Sequence, residues 1–203
     1  MTRVVLASGN AKKLKELRAV LADLGAEVVP QSEFGVADAV EDGDSFAANA
    51  LIKARHAARE TGLPAVADDS GLCVAALDGA PGIYSARYAG PQANDAANNA
   101  KLLEALAGVA DRRAHYVCVI AFVRDADDDA PIVCEGHWHG EIGVAPVGDG
   151  GFGYDPLFVV PTHGCTAAQL DPALKNRLSH RGQALAEFKR RFLNVGATRS
   201  ASR

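Results

Sequence analysis

The sequence begins with a short apolar run, Val4 to Ala7, that stops at Gly9 and gives way to leucines and valines at helical spacing. Leu14, Leu17, Val20, Leu21 and Leu24 line one face of a helix predicted over Ala11 to Leu24. Gly25 ends that helix, and Glu27 to Val29 reads as a second short strand. A strand, a glycine turn, a helix and a strand make a βαβ-like opening. That opening directs the chain toward an α/β architecture, and 203 residues suffice for one large domain or two closely packed lobes.

The same punctuation continues. An acidic loop, Asp38 to Gly43, precedes a helix that Asp44 or Ser45 can cap and that Gly62-Leu63-Pro64 stops after about Thr61. Asn49 and Lys53 lie four residues apart in it and share a face. Ala65 to Ala67 reads as a brief strand that delivers Asp68 and Asp69 at its end, and Leu72 to Leu77 as a further extended run. A turn at Asp78 to Gly82, an aromatic loop at Ile83 to Gly90 and a helix over Asn94 to Leu106 follow. Strands over Ala114 to Arg124 and Pro131 to Trp138 form a hairpin around a solvated acidic turn, Asp125 to Asp129, and Glu141 to Val147 adds another strand. After a glycine-rich segment, Gly148 to Pro156, comes a buried strand at Leu157 to Val160. Thr166 or Asp171 caps short helical turns, and a last helix runs from Ser179 to about Leu193. Neither a repeat nor a flexible linker interrupts the chain. The expectation is a single domain over 1–195, with a disordered tail over 196–203.

Composition narrows the function classes. Hydrophobic residues at 48% and charged residues at 23% are ordinary for a soluble globular protein. A net charge of -4 argues against a general nucleic-acid binder, which must neutralise many phosphates. It leaves room for one local basic pocket. Cys73, Cys118, Cys134 and Cys165 are too scattered for a metal motif and read as reduced cysteines. No apolar run approaches membrane-spanning length and no secretion segment is evident, so a cytoplasmic protein is expected.

Three polar clusters carry the candidate chemistry. Ser8-Gly9-Asn10-Ala11-Lys12-Lys13 resembles a phosphate grip, since Gly9 permits a tight turn and a helix start attracts an anion. It lacks the glycine spacing and the terminal Lys-Ser/Thr of a P-loop, and a capped turn with solvent-facing lysines fits it as well. Asp68 and Asp69 are adjacent acids after an apolar strand, an arrangement that calls for a compensating cation. Magnesium favours such oxygen ligands, with Glu41 as a third carboxylate, whereas an Asx-type turn ahead of Gly71 is the structural alternative. Ser179-His180-Arg181-Gly182, with Lys175 upstream, offers a basic side for phosphate or a base carbonyl, or simply a capped helix with two surface bases. In the glycine-rich segment, Phe152 or Tyr154 can stack on a base while Asp155 reads its edge, or both rings can plug the core. His137 and His139 share a strand face, but no third partner has the spacing of a metal site.

These strings also resemble a known family. Ala67-Asp68-Asp69-Ser70-Gly71-Leu72, Gly79-Ala80-Pro81-Gly82-Ile83-Tyr84-Ser85-Ala86-Arg87, Phe152-Gly153-Tyr154-Asp155-Pro156 and Ser179-His180-Arg181-Gly182 are similar, in this order, to the non-canonical purine nucleoside triphosphate pyrophosphatases. The resemblance spans Val4 to about Leu193. It implies an ITPase-like (Maf/Ham1-like) α/β fold, with a long mixed β-sheet spanning two lobes, flanking helices and an active site in the interlobe cleft. It implies a homodimer that uses Mg²⁺ to hydrolyse ITP, dITP and XTP to the monophosphate and pyrophosphate. Ser8, Gly9, Asn10, Ala11, Lys12, Lys13 and Lys53 then face the triphosphate, and Glu41 and Asp69 the metal. Asp69, with Asp68 beside it and Lys53, forms the expected catalytic set. Ser70, Phe152, Gly153, Tyr154 and Asp155 belong to the nucleoside pocket, and Lys175, His180 and Arg181 to the remaining binding positions. The loop Leu170 to Leu174 departs from the family's pattern.

On that reading a water activated by Asp69 attacks the α-phosphorus. Selectivity rests on the purine 6-carbonyl, an acceptor that adenine lacks. Two other classes share parts of the pattern: a pyrophosphatase for pyrimidine or modified nucleotides, and a nucleotide-binding protein without catalysis. The second leaves Glu41, Asp68 and Asp69 without a task.

Overall fold

The computed structural model describes residues 2–8, 11–22 and 25–200, with the side chains of 2, 11–13 and 194–200 outside the description. Strand β1 (Thr2–Leu6), helix α1 (Ala11–Ala22) and strand β2 (Ala26–Pro30) form the predicted opening, and β1 pairs with β2 in parallel. Helix α2 (Phe46–Thr61) returns the chain to β3 (Ala65–Val74), which pairs with β1, also in parallel. Then come α3 (Asp95–Ala105), β4 (Arg113–Val123), β5 (Ile132–Ile142), β6 (Phe158–Val160), β7 (Cys165–Thr166), α4 (Pro172–Leu178) and α5 (His180–Ser200). The strand order is β2-β1-β3-β4-β5-β6-β7, and β5, β6 and β7 pair antiparallel, so the sheet is mixed.

Two compact units emerge. The first comprises 1–69, 119–135 and 184–203, and the second 70–118 and 136–183. In the first, Val4, Val5, Leu6, Leu17, Leu21, Val28 and Val29 are buried on and beside the parallel strands. Helix α2 lies against β1 and turns a row of small side chains inward, with Ala50, Ala54 and Ala57 fully buried. Alanines there let helix and strand backbones approach closely and place Asn49 and Lys53 near β3. Phe122, Phe188 and Phe192 form an aromatic cluster in the same unit, with ring centroids 5.1 to 6.2 Å apart. The second unit's core gathers Leu72, Leu102, Leu106, Tyr116, Trp138, Tyr154, Leu157 and Phe158.

Four local expectations are corrected. The Asp-Asp-Ser-Gly string does not separate two extended runs, because β3 runs unbroken from Ala65 to Val74 and includes it. The hairpin's second strand reaches Ile142, so the separate strand at Glu141 to Val147 does not form. The acidic turn at Asp125 to Asp129 is not wholly solvated: Asp128 is buried, and Arg124 holds its carboxyl far below the usual range through side-chain hydrogen bonds. Helix α5 continues to Ser200, past the expected end near Leu193. Once a helix is nucleated, one interior glycine costs only about 1 kcal/mol, which need not end it.

Candidate functional site

In the first unit, the acidic loop and two regular elements converge on one ammonium group. Ser45 caps α2 by accepting from the Ala48 N–H, and this sets the first turn carrying Asn49. The Asn49 carboxamide works in two directions. Its oxygen accepts from the Gly43 N–H at 2.9 Å, which ties down the acidic loop, and its nitrogen donates to Asp69 Oδ2 at 3.4 Å. A side chain at Gly43 would meet Asn49 Oδ1 at 2.7 Å and Ala48 Cβ at 2.8 Å, so only glycine lets the loop lie this close. One helical turn on, Lys53 Nζ donates to Asp69 Oδ1 at 3.1 Å and pairs with Glu41 Oε1 at 3.3 Å.

Asp68 and Asp69 are 2% and 9% exposed, and that burial sets the electrostatics. Burial pushes the Asp69 carboxyl above its ordinary value, and the attraction of Lys53 only partly offsets it. For Lys53 burial acts downward, but Asp69, Glu41 and Asp68 together outweigh it and the ammonium is held more firmly than usual. The result is a protonated lysine beside a carboxylate of raised basicity.

Ala7, Ser8, Gln31, Asp38, Ala39, Glu41, Lys53 and Asp68 line a cavity of about 160 Å³ in this unit. Sites that enclose a drug-sized ligand run upward from roughly 300 Å³. This one has room for a phosphate group or a hydrated ion, not a whole nucleotide.

The donor chemistry fits a hard divalent cation. Among the described side chains, Glu41, Asp68 and Asp69 contribute three negative charges around the one positive charge of Lys53. All are oxygen donors, as magnesium prefers. Among the described residues no three His, Cys, Asp or Glu side chains already surround a common point. A cation here therefore needs water or substrate phosphates to complete its shell.

In the second unit, the glycine-rich segment is a wound loop fixed at Phe152, Gly153, Tyr154 and Asp155. Asp155 is buried; its Oδ2 accepts from the Phe152 N–H at 2.8 Å and pairs with Lys175 Nζ, while Tyr116 Oη lies 3.5 Å from Oδ1. Tyr154 turns inward, 4% exposed, and its hydroxyl donates to the Ser85 carbonyl at 2.8 Å. Gly153 adopts φ +61°, with its N–H donating to Asp95 Oδ2 at 2.7 Å and its carbonyl accepting from Asn99 Nδ2 at 2.9 Å. The Phe152 ring is left 56% exposed, with Lys175 Nζ 4.9 Å from its centroid, inside cation–π range.

The Ser-His-Arg-Gly string joins α4 to α5. Asp171 caps α4 through the Ala173 and Leu174 N–H groups, and so the departing loop still delivers Lys175 to Asp155. Ser179 Oγ accepts from the Gly182 N–H at 3.1 Å. A Cβ on Gly182 would stand 1.7 Å from the Asn176 carbonyl, so this glycine permits the tight junction of the helices. His180 stacks on Tyr116, 4.7 Å between centroids and 10° between planes, and Arg181 Nη2 lies 3.5 Å from Ser70 Oγ.

The structure thus brings Glu41, Lys53, Asp68 and Asp69 together, with Ser8 on the wall of the adjoining cavity. It groups Phe152, Asp155 and Lys175, and separately Ser70 with Arg181. Gly9 and Asn10 lie outside the described residues. Ala11, Lys12 and Lys13 open α1, but their side chains also lie outside. Two expectations shift. Tyr154 faces the core and is not a ring presented to a base, and Asp155 is engaged by its own loop. Sequence reasoning passed over Asp95, Asn99 and Tyr116 altogether. His115 on β4 supplies the missing neighbour of His137 and His139, at 5.7 and 5.3 Å between centroids, although the three rings lie side by side and do not converge.

The model of the Ham1 family matches residues 4–191. The chain belongs to the Ham1 family. Relatives of this Ham1 chain include a dITP/XTP pyrophosphatase of Bordetella parapertussis, 61% identical over 191 residues, covering 93% of this chain and 90% of that one. A dITP/XTP pyrophosphatase of Ralstonia nicotianae is 59% identical over 196 residues, covering 95% and 97%. Among solved structures, a HAM1 protein from Coxiella burnetii superposes with a TM-score of 0.93 at 52% identity, over 96% of this chain and all (100%) of that one. The Ham1 protein of Staphylococcus aureus gives 0.89 at 41% identity, over 96% and 100%. These likenesses extend the Ham1 assignment over both units.

Proposed function

We propose that this chain hydrolyses dITP, ITP and XTP to the nucleoside monophosphate and pyrophosphate, and so clears deaminated purines from the nucleotide pool. The observation that carries the reading is the buried Lys53–Asp69 pair with Glu41 and Asp68 beside it, in a chain so similar to dITP/XTP pyrophosphatases.

Asp69 accepts a proton from water, for which its raised basicity suits it. The water oxygen bonds to the α-phosphorus, the bond to the bridging oxygen breaks, and pyrophosphate leaves with the electron pair. Lys53 stays protonated throughout and offsets charge on the phosphate oxygens, while Asn49 fixes the Asp69 carboxylate. Mg²⁺, held by Glu41 and Asp69 together with substrate phosphates, would supply further charge neutralisation. Ser8 and the Gly9 to Lys13 segment are assigned to the triphosphate.

For the base, Phe152 offers an exposed face for stacking. Arg181 and His180 supply donors for the 6-carbonyl of hypoxanthine or xanthine, and Ser70 sits against Arg181. A site built to hydrogen-bond one group rejects analogues lacking it by ~10⁴-fold or more. A homodimer and a cytoplasmic setting belong to the same proposal. None of the four cysteines is in a disulfide, as in a reducing compartment, and no helix among the described residues is long and apolar enough to cross a membrane.

The test is pyrophosphate release from ITP, XTP, dITP, GTP, ATP and dTTP, each with Mg²⁺ and with chelator. Mg²⁺-dependent turnover confined mainly to the first three supports the reading. A preference for pyrimidines, or no metal-dependent turnover, overturns it.

A further inference from the structure

We propose that Asp95 and Asn99, which no motif of the sequence singles out, are positioning residues for the Phe152 platform and so help determine base affinity and selectivity. The proposal rests on the stacking reading above. The two side chains stand one turn apart on α3 and grip both ends of one residue. Asp95 Oδ2 accepts the Gly153 N–H at 2.7 Å and Asn99 Nδ2 donates to the Gly153 carbonyl at 2.9 Å. Gly153 holds φ +61° and follows directly on Phe152, whose own N–H is fixed by Asp155. Nothing packs within 4 Å of a Cβ built on Gly153, so side-chain packing does not hold it there. The loop's outer edge is clamped by α3, its inner edge by Asp155, and the Phe152 ring is presented between them. Anchoring the backbone on both sides of a half-exposed ring narrows its orientations, and preorganisation of that kind appears as affinity.

Helix α3 itself does not need the pair for capping. Its cap is Asn94, which accepts from the Ala97 N–H at 2.9 Å. Asp95 does sit in the first turn, where a negative charge suits the helix dipole. The choice of variants separates the two roles. Asp95→Asn keeps an oxygen acceptor and drops the charge, whereas Asp95→Ala drops both. Asn99→Asp replaces the donor with a carboxylate facing a carbonyl.

The experiment is steady-state kinetics of dITP and dGTP hydrolysis by the full chain, with thermal unfolding followed in parallel. Phe152→Ala is expected to raise KM for dITP by roughly 10- to 100-fold, the scale of one base–aromatic contact. Asp95→Ala, Asn99→Ala and Asn99→Asp are expected to raise it by about 3- to 10-fold with kcat little changed, and Asp95→Asn to stay near wild type. In Phe152→Ala the Asn99→Ala change should add nothing further, because the clamp acts through the ring. Wild type without dITP turnover would sink the functional reading, and an unchanged KM in Phe152→Ala the stacking reading. A raised KM in Phe152→Ala with unchanged KM in the Asp95 and Asn99 variants overturns only the positioning proposal. So does an Asn99→Ala effect of equal size with and without Phe152, or one that appears only as lowered thermal stability. An Asp95→Asn variant as impaired as Asp95→Ala assigns Asp95 to the helix terminus instead.

Discussion

Around Lys53 one ammonium faces Glu41, Asp68 and Asp69; around Phe152 one ammonium, Lys175, faces one carboxylate, Asp155. The second group balances itself. Asp155 is occupied by Lys175 and a backbone N–H, and what remains to meet a ligand is an aromatic face with a cation beside it. In the first group burial raises Asp69 even with Lys53 in contact, and the described side chains set three carboxylates around one ammonium. The comparison teaches a division of labour. Clustered buried carboxylates favour whatever brings a cation or a proton to them, which suits a site that takes a proton from water in phosphoryl chemistry. Balanced charge makes a rigid support, which suits recognition of a flat, neutral base.

Asp69→Asn breaks the contrast most sharply. It removes the base, and kcat should fall by ~10³-fold, within the range for losing general acid–base catalysis, while nucleotide affinity changes only a few-fold. Rapid-quench turnover with calorimetric binding of dITP checks both. The pH profile sharpens the assignment. A base must be deprotonated to act, and Asp69's pKa is raised, so kcat/KM should climb with pH through a limb lying above the ordinary carboxylate range. A limb at an ordinary carboxylate value would mean that Asp69 is not the group being titrated or that bound Mg²⁺ lowers its pKa.

Lys53→Met tests the same cluster from the other side. Attraction to Lys53 lowers the Asp69 pKa, so its loss should move the acidic limb to still higher pH, in addition to a drop of ~10²-fold in kcat/KM. A limb that stays in place while the rate falls would show that Lys53 contacts substrate without tuning Asp69.

How much of this the sequence revealed depended on whether a contact was local. The shared face of Asn49 and Lys53 follows from a spacing of four on an alanine-rich helix, and the βαβ opening from leucine periodicity. The Asp-Asp-Ser-Gly string reads as a break between two extended runs, since two acids, a serine and a glycine have poor strand propensity. What holds it in β3 is tertiary: α2 supplies Lys53 and Asn49 from 16 and 20 residues away. Asn99 and Gly153 are 54 residues apart, and His115 lies on a different strand from His137 and His139. Contacts of that kind leave no spacing to read. Tyr154 was misplaced for a different reason. Glycines on either side suggested an open loop, but a ring flanked by glycines can equally turn inward, and the Ser85 carbonyl gives its hydroxyl a buried partner.

The two glycines of the aromatic loop give the finest comparison. Both have positive φ, +76° at Gly151 and +61° at Gly153, so alanine at either position incurs backbone strain of about 1–2 kcal/mol. Their surroundings differ. A Cβ on Gly153 meets nothing within 4 Å, whereas one on Gly151 would stand 2.1 Å from Asp155 Oδ2. Gly151→Ala must therefore displace the carboxylate that holds Lys175 and the Phe152 N–H, adding roughly 1–3 kcal/mol of overpacking to the strain. Denaturant unfolding should rank Gly151→Ala below Gly153→Ala, and KM for dITP should rise about tenfold in the former, the size of one weakened aromatic contact. Gly153→Ala should hold KM within a few-fold, since the clamp on its N–H and carbonyl does not use the Cβ position. If the two variants proved equal in KM, the Asp155 clamp would have no part in presenting Phe152, and the balanced charge of this loop would serve stability alone.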